Sequence, residues 1–367
     1  MLNNLLSYTQ YLCYEKSHIT YLGIYVMFRF IILALLFCLN TLNQSLAEEL
    51  LIFPSDHSKE QIVKALNSAE KSIDFAMYRL EDKEIINILS SKNRKGIKVR
   101  VLLHKPDLYH PPFANSQNNE AVEILLKAGI SVSYLADHKY LLSHYKFINI
   151  DDKLSLISTL NFDEGNYNSR NFIISEDSPK LVQKYREIFD NDFNDKPEIN
   201  DQNAPALFKN HGIVLGPNGQ RKILEELIKS ANKSIHIYMQ DLSDPEIGLL
   251  LNKKAKEGVR VEVIMSAAPF GGMDFNRVNH TLISDAGGKI YFLPSYKLYI
   301  HAKTVLIDPQ TSNARAYVGS CNLWHQAISV QRELGIITKN KKTISSLYNI
   351  FKEDTKLEVS YTEALAK

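Results

Sequence analysis

Two stretches of the chain carry the same succession of apolar and polar positions. Apolar residues alternate over 72–78, recur at helical spacing over 83–95, and alternate again over 97–103 after Gly96. That succession predicts a strand, a helix closed by the glycine, and a second strand. At an offset of 162 and without a gap, residues 234–265 repeat it: SIDFAMYRLEDKEIINILSSKNRKGIKVRVLL stands against SIHIYMQDLSDPEIGLLLNKKAKEGVRVEVIM. Twelve positions are identical, among them Met77/Met239, Asp82/Asp244, Lys92/Lys254 and Gly96/Gly258. The chain is therefore an internal duplication. Further helices are predicted over 59–70 and 220–232. Helices alternating with strands across short connections imply βαβ crossovers. The expected fold class is α/β: two duplicated units, each a mixed, largely parallel sheet flanked by helices. The first unit is expected over 48–194 and the second over 210–367, joined by the Asn-, Asp- and Pro-rich segment 195–209.

The pattern is different at the start. Arg29 precedes an unbroken apolar run from Phe30 to Leu39, and a polar stretch follows that ends Ser45-Leu46-Ala47. A basic start, an apolar middle and a small-x-small ending predict a signal peptide cleaved after Ala47. On that reading 1–47 comprises an upstream extension and the signal, with Met27 a candidate start, and the protein is exported to the periplasm or secreted. The alternative is an anchor from about Tyr21 to Leu39, which Arg29 interrupts. Cys13 and Cys38 lie in this leader, so only Cys321 remains beyond it and no internal disulfide forms there.

Composition adds little. With 43 Lys+Arg against 41 Asp+Glu over 367 residues, no global basic field advertises a nucleic-acid partner. The hydrophobic share of 45% fits a folded chain and excludes a disordered or disulfide-scaffolded one.

The chemistry is concentrated near the end of each copy. His144-Tyr145-Lys146 is followed by Asp151, and His301-Ala302-Lys303 by Asp308 at the same spacing. Ser158-Thr159-Leu160-Asn161 and Gly319-Ser320-Cys321-Asn322 come next. Both motifs fall in apolar, β-prone segments, where residues i and i+2 share a face, so each His projects with its Lys. Lysine is a three-donor point charge suited to phosphate oxygens, and a neutral imidazole beside it is a nucleophile or base. Asn161 and Asn322 would add neutral donors. Two such strands face to face would set one histidine to attack phosphorus and the other to protonate the leaving oxygen. With two lysines supplying the charge, neither metal nor cofactor is needed.

His-x-Lys-x4-Asp occurring twice, each time with a following small-residue-x-Asn turn, resembles the phospholipase D superfamily from about Leu51 to Phe351. The resemblance implies a pseudo-two-fold phospholipase D-like fold, a phosphohistidine intermediate, and one active site shared by both halves of a monomer. It implies His144 as nucleophile and His301 as general acid, and makes Asp151 and Asp308 catalytic candidates, although both also suit turn positions at strand ends. Family members often carry a carboxylate about eleven residues beyond the Asn, which orients a histidine. Glu333 occupies that place in the second copy, whereas in the first Arg170 stands where the glutamate would be, free to bind phosphate or a neighbouring carboxylate.

The motifs identify a phosphodiester without saying what hangs from it. The leading expectation is hydrolysis of a phospholipid headgroup to phosphatidic acid at a membrane surface. The alternatives are an exported nuclease acting on DNA or RNA, transfer of the phosphatidyl group to an alcohol as in cardiolipin synthases, and a non-catalytic binding protein. The remaining histidines, including His104 and His236, lack a repeated partner and read as structural. The loops 105–116 and 267–277, with Tyr109, Phe113, Phe270 and Phe275, read as ordinary loop packing or as contacts to a membrane or substrate.

Overall fold

The computed structural model describes residues 48–105, 118–135, 138–196, 212–270 and 274–365. The expected signal peptide, most of the expected linker, Tyr109 and Phe113 lie outside the described residues. In chain order the first half contains β1 (Glu49–Phe53), α1 (Asp56–Asn67), β2 (Ser72–Met77), α2 (Lys83–Arg94), β3 (Lys98–Leu103), α3 (Asn119–Lys127) and β4 (Ser131–Tyr134). It continues with β5 (Phe147–Ile150), β6 (Leu154–Ser158), α4 (Glu164–Tyr167), β7 (Asn171–Glu176) and α5 (Pro179–Phe193). The second half runs β8 (Ile213–Leu215), α6 (Gln220–Lys229), β9 (Ser234–Met239), α7 (Pro245–Lys256), β10 (Arg260–Ser266), α8 (Arg277–Asp285) and β11 (Lys289–Leu293). Then come α9 (Ser295–Leu298), β12 (Lys303–Ile307), β13 (Arg315–Gly319), α10 (His325–Ser329), β14 (Leu334–Thr338) and α11 (Lys341–Asp354).

The identities of the repeat are backbone requirements. Asp82 caps α2 by accepting from Glu84 N and Ile85 N, and Asp244 caps α7 by accepting from Ile247 N. Gly96 and Gly258 both have φ +85°, the left-handed position that ends a helix where a β-carbon is disfavoured. The Lys92 and Lys254 ammonium groups reach the carbonyls at the end of the preceding helix, at Ala69 and Lys229.

Each half forms a seven-stranded sheet of the same order, β1-β7-β6-β5-β2-β3-β4 and β8-β14-β13-β12-β9-β10-β11. The sheets are mixed rather than largely parallel. Only β2·β3·β4 and β9·β10·β11 pair in parallel, and the other neighbours are antiparallel. The reason lies in the β5–β6 turn, where Asp151 and Asp152 take φ +55° and +56° and Lys153 N donates to Ile150 O. So tight a turn can join only antiparallel strands, whereas parallel pairing needs a crossover. Both faces of each sheet are buried. One face packs on its own half's helices through Ile62, Leu89 and Leu125, or Leu224, Leu251 and Ile283. The opposite faces meet in a common core, where Phe147, Phe172 and Phe189 join Tyr238, Leu306 and Phe351. Two-sided burial explains the continuous apolar runs of β5 and β12.

Asp151 and Asp308 are fold residues. Asp151 accepts three backbone N–H bonds, from Glu70, Lys71 and Ser72 at 2.7–2.8 Å. Asp308 accepts from Asn232, Lys233 and Ser234 at 2.7–2.9 Å. Each carboxylate thereby ties the end of one strand to the start of the central strand beside it. These bonds hold both carboxyls below the usual carboxylate range, against the opposing effect of burial. Asp151→Ala is expected to cost roughly 3 kcal/mol in urea unfolding, because three donors lose a charged acceptor. With the folded pKa depressed, the contribution is present above the unfolded value and lost as pH falls below it, so the variant's stability should vary less in acid. Turnover per folded molecule should survive. Loss of turnover at full stability would return Asp151 to the chemistry.

Candidate active site

The two His-x-Lys segments enter β5 and β12 at the end where the halves meet. Each segment is pinned by an arginine of the other half. His144 N and Tyr145 N donate to Arg332 O at 2.9 and 3.0 Å, and Arg332 N donates to Leu142 O at 2.8 Å. Reciprocally, His301 N donates to Arg170 O at 3.2 Å and Arg170 N to Tyr299 O at 2.8 Å. Those arginines are themselves fixed across the halves. Arg332 makes a bidentate pair with Asp192 of α5 (2.9 and 2.8 Å) and donates to Gly216 O at 3.0 Å. Arg170 makes the mirror pair with Asp354 of α11 (2.7 and 2.7 Å) and donates to Phe53 O at 2.6 Å. Arg170 therefore pairs with a carboxylate and does not occupy the glutamate's place.

That place belongs to Asn171. Thr159 N pairs with Phe172 O as Ser320 N pairs with Leu334 O, which makes Asn171 the counterpart of Glu333. At the repeat's offset of 162, Glu333 falls on Asn171 and Arg332 on Arg170, so setting Arg170 against Glu333 was one residue out of register. His144 Nδ1 lies 2.8 Å from Glu333 Oε1, and the Ser320 hydroxyl bonds the other oxygen of this fully buried carboxylate. His301 Nδ1 lies 2.9 Å from Asn171 Oδ1. The same oxygen accepts from Thr159 Oγ1 at 2.8 Å, while Asn171 Nδ2 donates to Asn166 O at 3.0 Å. The amide is thus oriented with its oxygen toward the ring. Both histidines carry their proton on Nδ1, leaving a lone pair on Nε2.

The lysines complete the cluster. Lys146 and Lys303 are fully buried, and each ammonium donates to the carbonyl of its own histidine, His144 or His301. Burial pulls Lys146 down to about 7, with Glu333 opposing. Burial and then Lys146 press Lys303 well below its ordinary range. Burial likewise lowers His144 to about 4 against the raising influence of Glu333. His301 is depressed well below its ordinary value by burial, Lys303 and Lys146. Lys303 is felt at His144, and Lys146 and His144 at His301, so the four side chains share one electrostatic site. Two lysines and two histidines around one carboxylate, Glu333, suit a phosphate.

The supporting residues divide unequally. Ser320 bonds Glu333 and so orients His144 through it. Asn322 accepts from Asp241 N at 3.2 Å and donates to Gln240 Oε1 at 3.4 Å, steadying the turn after β9. Among the described residues, the buried Oδ1 of Asn161 has no hydrogen-bond partner. Asp151 and Asp308 stand at the far ends of β5 and β12, about 16 Å along the strand from the lysines.

Several residues escaped the sequence reading: Asn171, Asp192, Asp354, Tyr78 and Asp241. The Tyr78 ring meets His144 edge-on at 5.0 Å and stacks on His104 at 5.1 Å, giving that histidine a place beside the site. The signal for the buried pairs was present, since Arg170/Arg332, Asn171/Glu333 and Asp192/Asp354 all stand 162 apart, the offset of the repeat.

The family model described as "Cardiolipin synthase, PLD-like domain" matches residues 62–193 and again 224–355. The chain is similar to a cardiolipin synthase of Clostridium perfringens, 22% identical over 347 residues, covering 84% of this chain and 70% of the relative. A cardiolipin synthase 1 of Bacillus cereus is 23% identical, covering 83% of this chain and 66% of the relative, just under two thirds of its length. Among solved structures, a phosphatidylserine synthase of Haemophilus influenzae matches 87% of this chain and 89% of its own (TM-score 0.65, 14% identity). A polyphosphate kinase of Porphyromonas gingivalis matches 84% of this chain but only 47% of its own (TM-score 0.63, 16% identity).

The charges set a pH profile. An attack by His144 would require its imidazole neutral, so kcat/KM for a phosphodiester should then rise through about pH 4. It would also require charged Lys146, so kcat/KM should fall again through about pH 7. Glu333 raises both groups, so Glu333→Gln should move both limbs to lower pH while cutting the rate about 100-fold or more. Limbs that stay in place would show that other groups govern the profile.

Proposed function

The chain belongs to the phospholipase D-like family that includes the cardiolipin synthases, and on that premise we propose that it is a phosphatidyl transferase, passing a phosphatidyl group from one phospholipid to an alcohol through a phosphohistidine. The observation that carries the reading is the pairing of two oriented imidazoles with two buried lysines in a site built from both halves. The curated relatives are cardiolipin synthases, which favours an alcohol over water as acceptor. Hydrolysis to phosphatidic acid becomes the minor outcome of the same intermediate.

In the first step His144 Nε2 attacks phosphorus, the bond to the leaving alcohol's oxygen breaks, and His301 gives that oxygen a proton. In the second step the acceptor alcohol gives its proton to His301, its oxygen attacks phosphorus, and the P–N bond breaks. The roles follow from the two Nδ1 partners. A ring phosphorylated on Nε2 and protonated on Nδ1 is cationic, and Glu333 compensates that charge at His144. Asn171 is neutral and stabilises no imidazolium, so a proton that His301 Nε2 takes from solvent, favoured by the charge of the arriving phosphate anion, is readily given up. Lys146 and Lys303 hold the equatorial oxygens.

A lipid substrate is further supported by exposed Phe270, Phe275, Val278 and Tyr296, which follow β10 and β11. The Tyr299 hydroxyl donates to Pro269 O at 2.6 Å and so ties this apolar patch to the His301 segment. Action at a membrane surface, outside the cytoplasm, belongs to the same proposal. Among the described residues no helix is long and apolar enough to cross a membrane.

The test incubates the protein in chelator with phosphatidylglycerol vesicles and a little primary alcohol, and separately with single- and double-stranded nucleic acid. Phosphatidyl-alcohol and cardiolipin exceeding phosphatidic acid are expected. Nucleic-acid cleavage with intact lipid would overturn the proposal. A p-nitrophenyl phosphodiester, whose leaving group needs no proton, separates the histidines. His301→Ala should still release a stoichiometric burst of nitrophenol, and His144→Ala none. The reverse pattern would exchange their roles.

A further inference from the structure

The duplication placed equivalent backbone beside each histidine and then filled it differently. In the first sheet Ala76 lies opposite Phe147, and in the second Met239 lies opposite Lys303. Beyond β2 and β9, Arg79 O accepts from Phe162 N and Asp241 O accepts from Leu323 N, which makes Arg79 and Asp241 counterparts in the two halves. Arg79 is already spent, with Glu81 at 2.7 Å and Asp163 at 3.7 Å. Asp241 is not. Its carboxylate is only 4% exposed and accepts from Ser243 Oγ at 2.6 Å, yet among the described residues it forms no ion pair. Burial holds its carboxyl above the usual range, with Ser243 and Lys303 opposing and Asp274 adding to it, and its backbone N–H donates to Asn322 Oδ1 at 3.2 Å. Beside it, Gln240 Nε2 donates to the Tyr299 hydroxyl at 2.9 Å, two residues before His301. Near His144 a buried carboxylate that acts on Lys146, that of Asp163, is paired with Arg79, whereas near His301 the buried carboxylate of Asp241 has no such cation among the described residues.

We propose that Asp241, with Ser243, is the specificity-determining residue of the alcohol subsite and binds the second hydroxyl of a glycerol-type polyol. The assignment rests on the transfer reading above. A carboxylate is a pure acceptor and takes a hydroxyl proton with a charge-assisted bond. When the reacting hydroxyl faces His301, a second hydroxyl on the adjoining carbons reaches the neighbouring side chain. An amino alcohol fits less well, because its ammonium would add a further positive charge to the site of Lys146 and Lys303. A neutral polyol adds none.

The experiment partitions one phosphohistidine among competing acceptors. Phosphatidylcholine vesicles are offered glycerol, 1-propanol and ethanolamine together in water, and the phosphatidyl products are quantified for the parent protein, Asp241→Asn, Asp241→Ala and Ser243→Ala. Product ratios do not depend on how much of each variant folds. The ratio of phosphatidylglycerol to phosphatidylpropanol should fall about ten-fold or more in both Asp241 variants, and less in Ser243→Ala. Ratios unchanged while all products fall together would make Asp241 structural and overturn the subsite alone. Selective loss of the ethanolamine product would overturn the polyol assignment. Phosphatidic acid as the sole product of the parent protein would overturn the transfer reading and the subsite with it.

Discussion

Arg332 and Asp192 are buried together where the two halves meet, and Arg170 and Asp354 are buried at the pseudo-symmetric point. Ion pairs of this kind are poor investments in stability, since apolar residues of similar volume often do as well, while removing one partner leaves an uncompensated charge. Their value here is positional. The backbone of each arginine carries the carbonyl that receives the opposite histidine's N–H, and the next residue along, Asn171 or Glu333, bonds that histidine's Nδ1. A guanidinium fixed at both ends by a bidentate carboxylate and a backbone carbonyl leaves this backbone one setting. Neither half can orient its own histidine, so the site forms only when the halves dock. Two sheets sharing one core supply the rigidity that this arrangement needs.

Symmetry of backbone with asymmetry of side chain then does the chemical work. Asn171 faces Glu333, Arg79 faces Asp241, and Tyr78 faces Gln240, each couple at an offset of 162. One histidine is given a carboxylate that tolerates a cationic phosphoimidazole. The other is given an amide that holds its tautomer without stabilising its charge. In-line displacement uses unlike roles on opposite sides of one phosphorus, and the unlike Nδ1 partners bias which histidine takes which.

Much of this was legible in the sequence because a duplication prints its constraints twice. Cap residues, helix-ending glycines and the His-x-Lys pairs recur wherever the backbone or the phosphate demands them. The misreadings have physical causes as well. Asp151 and Asp308 belong to the same motif as the histidines, but at 3.3 Å per residue the strand carries them away from the site, where backbone amides claim them. Arg170 was taken for the glutamate's counterpart through a register one residue off the repeat's offset of 162, which sets Arg170 against Arg332 and Asn171 against Glu333. The sheets were expected to be largely parallel because helices flank β2 and β3, while the tight turn after β5 gives no apolar signal. Asp192 and Asp354 lie on helices, where an isolated acidic residue resembles any solvated one. Only their shared offset betrays them.

The charge balance of the site connects these features to substrate choice. Two lysines and two histidines face Glu333 and Asp241, and burial has already pushed all four basic groups toward neutrality. A lysine whose folded pKa is depressed weakens folding below its unfolded value, so the fold carries these ammonium groups at a cost. An arriving phosphodiester anion reverses the sign. It restores the lysines' preference for charge, and it favours the proton that His301 must hold before the leaving oxygen can accept it. Binding energy from the phosphate therefore appears as protonation of the general acid. The same anion does nothing to distinguish one alcohol from another, because its equatorial oxygens are alike in every phosphodiester. Selection among alcohols has to come from groups beyond the phosphate, on the side where His301 meets the leaving or arriving oxygen. That side is where the duplication has replaced Arg79 with Asp241.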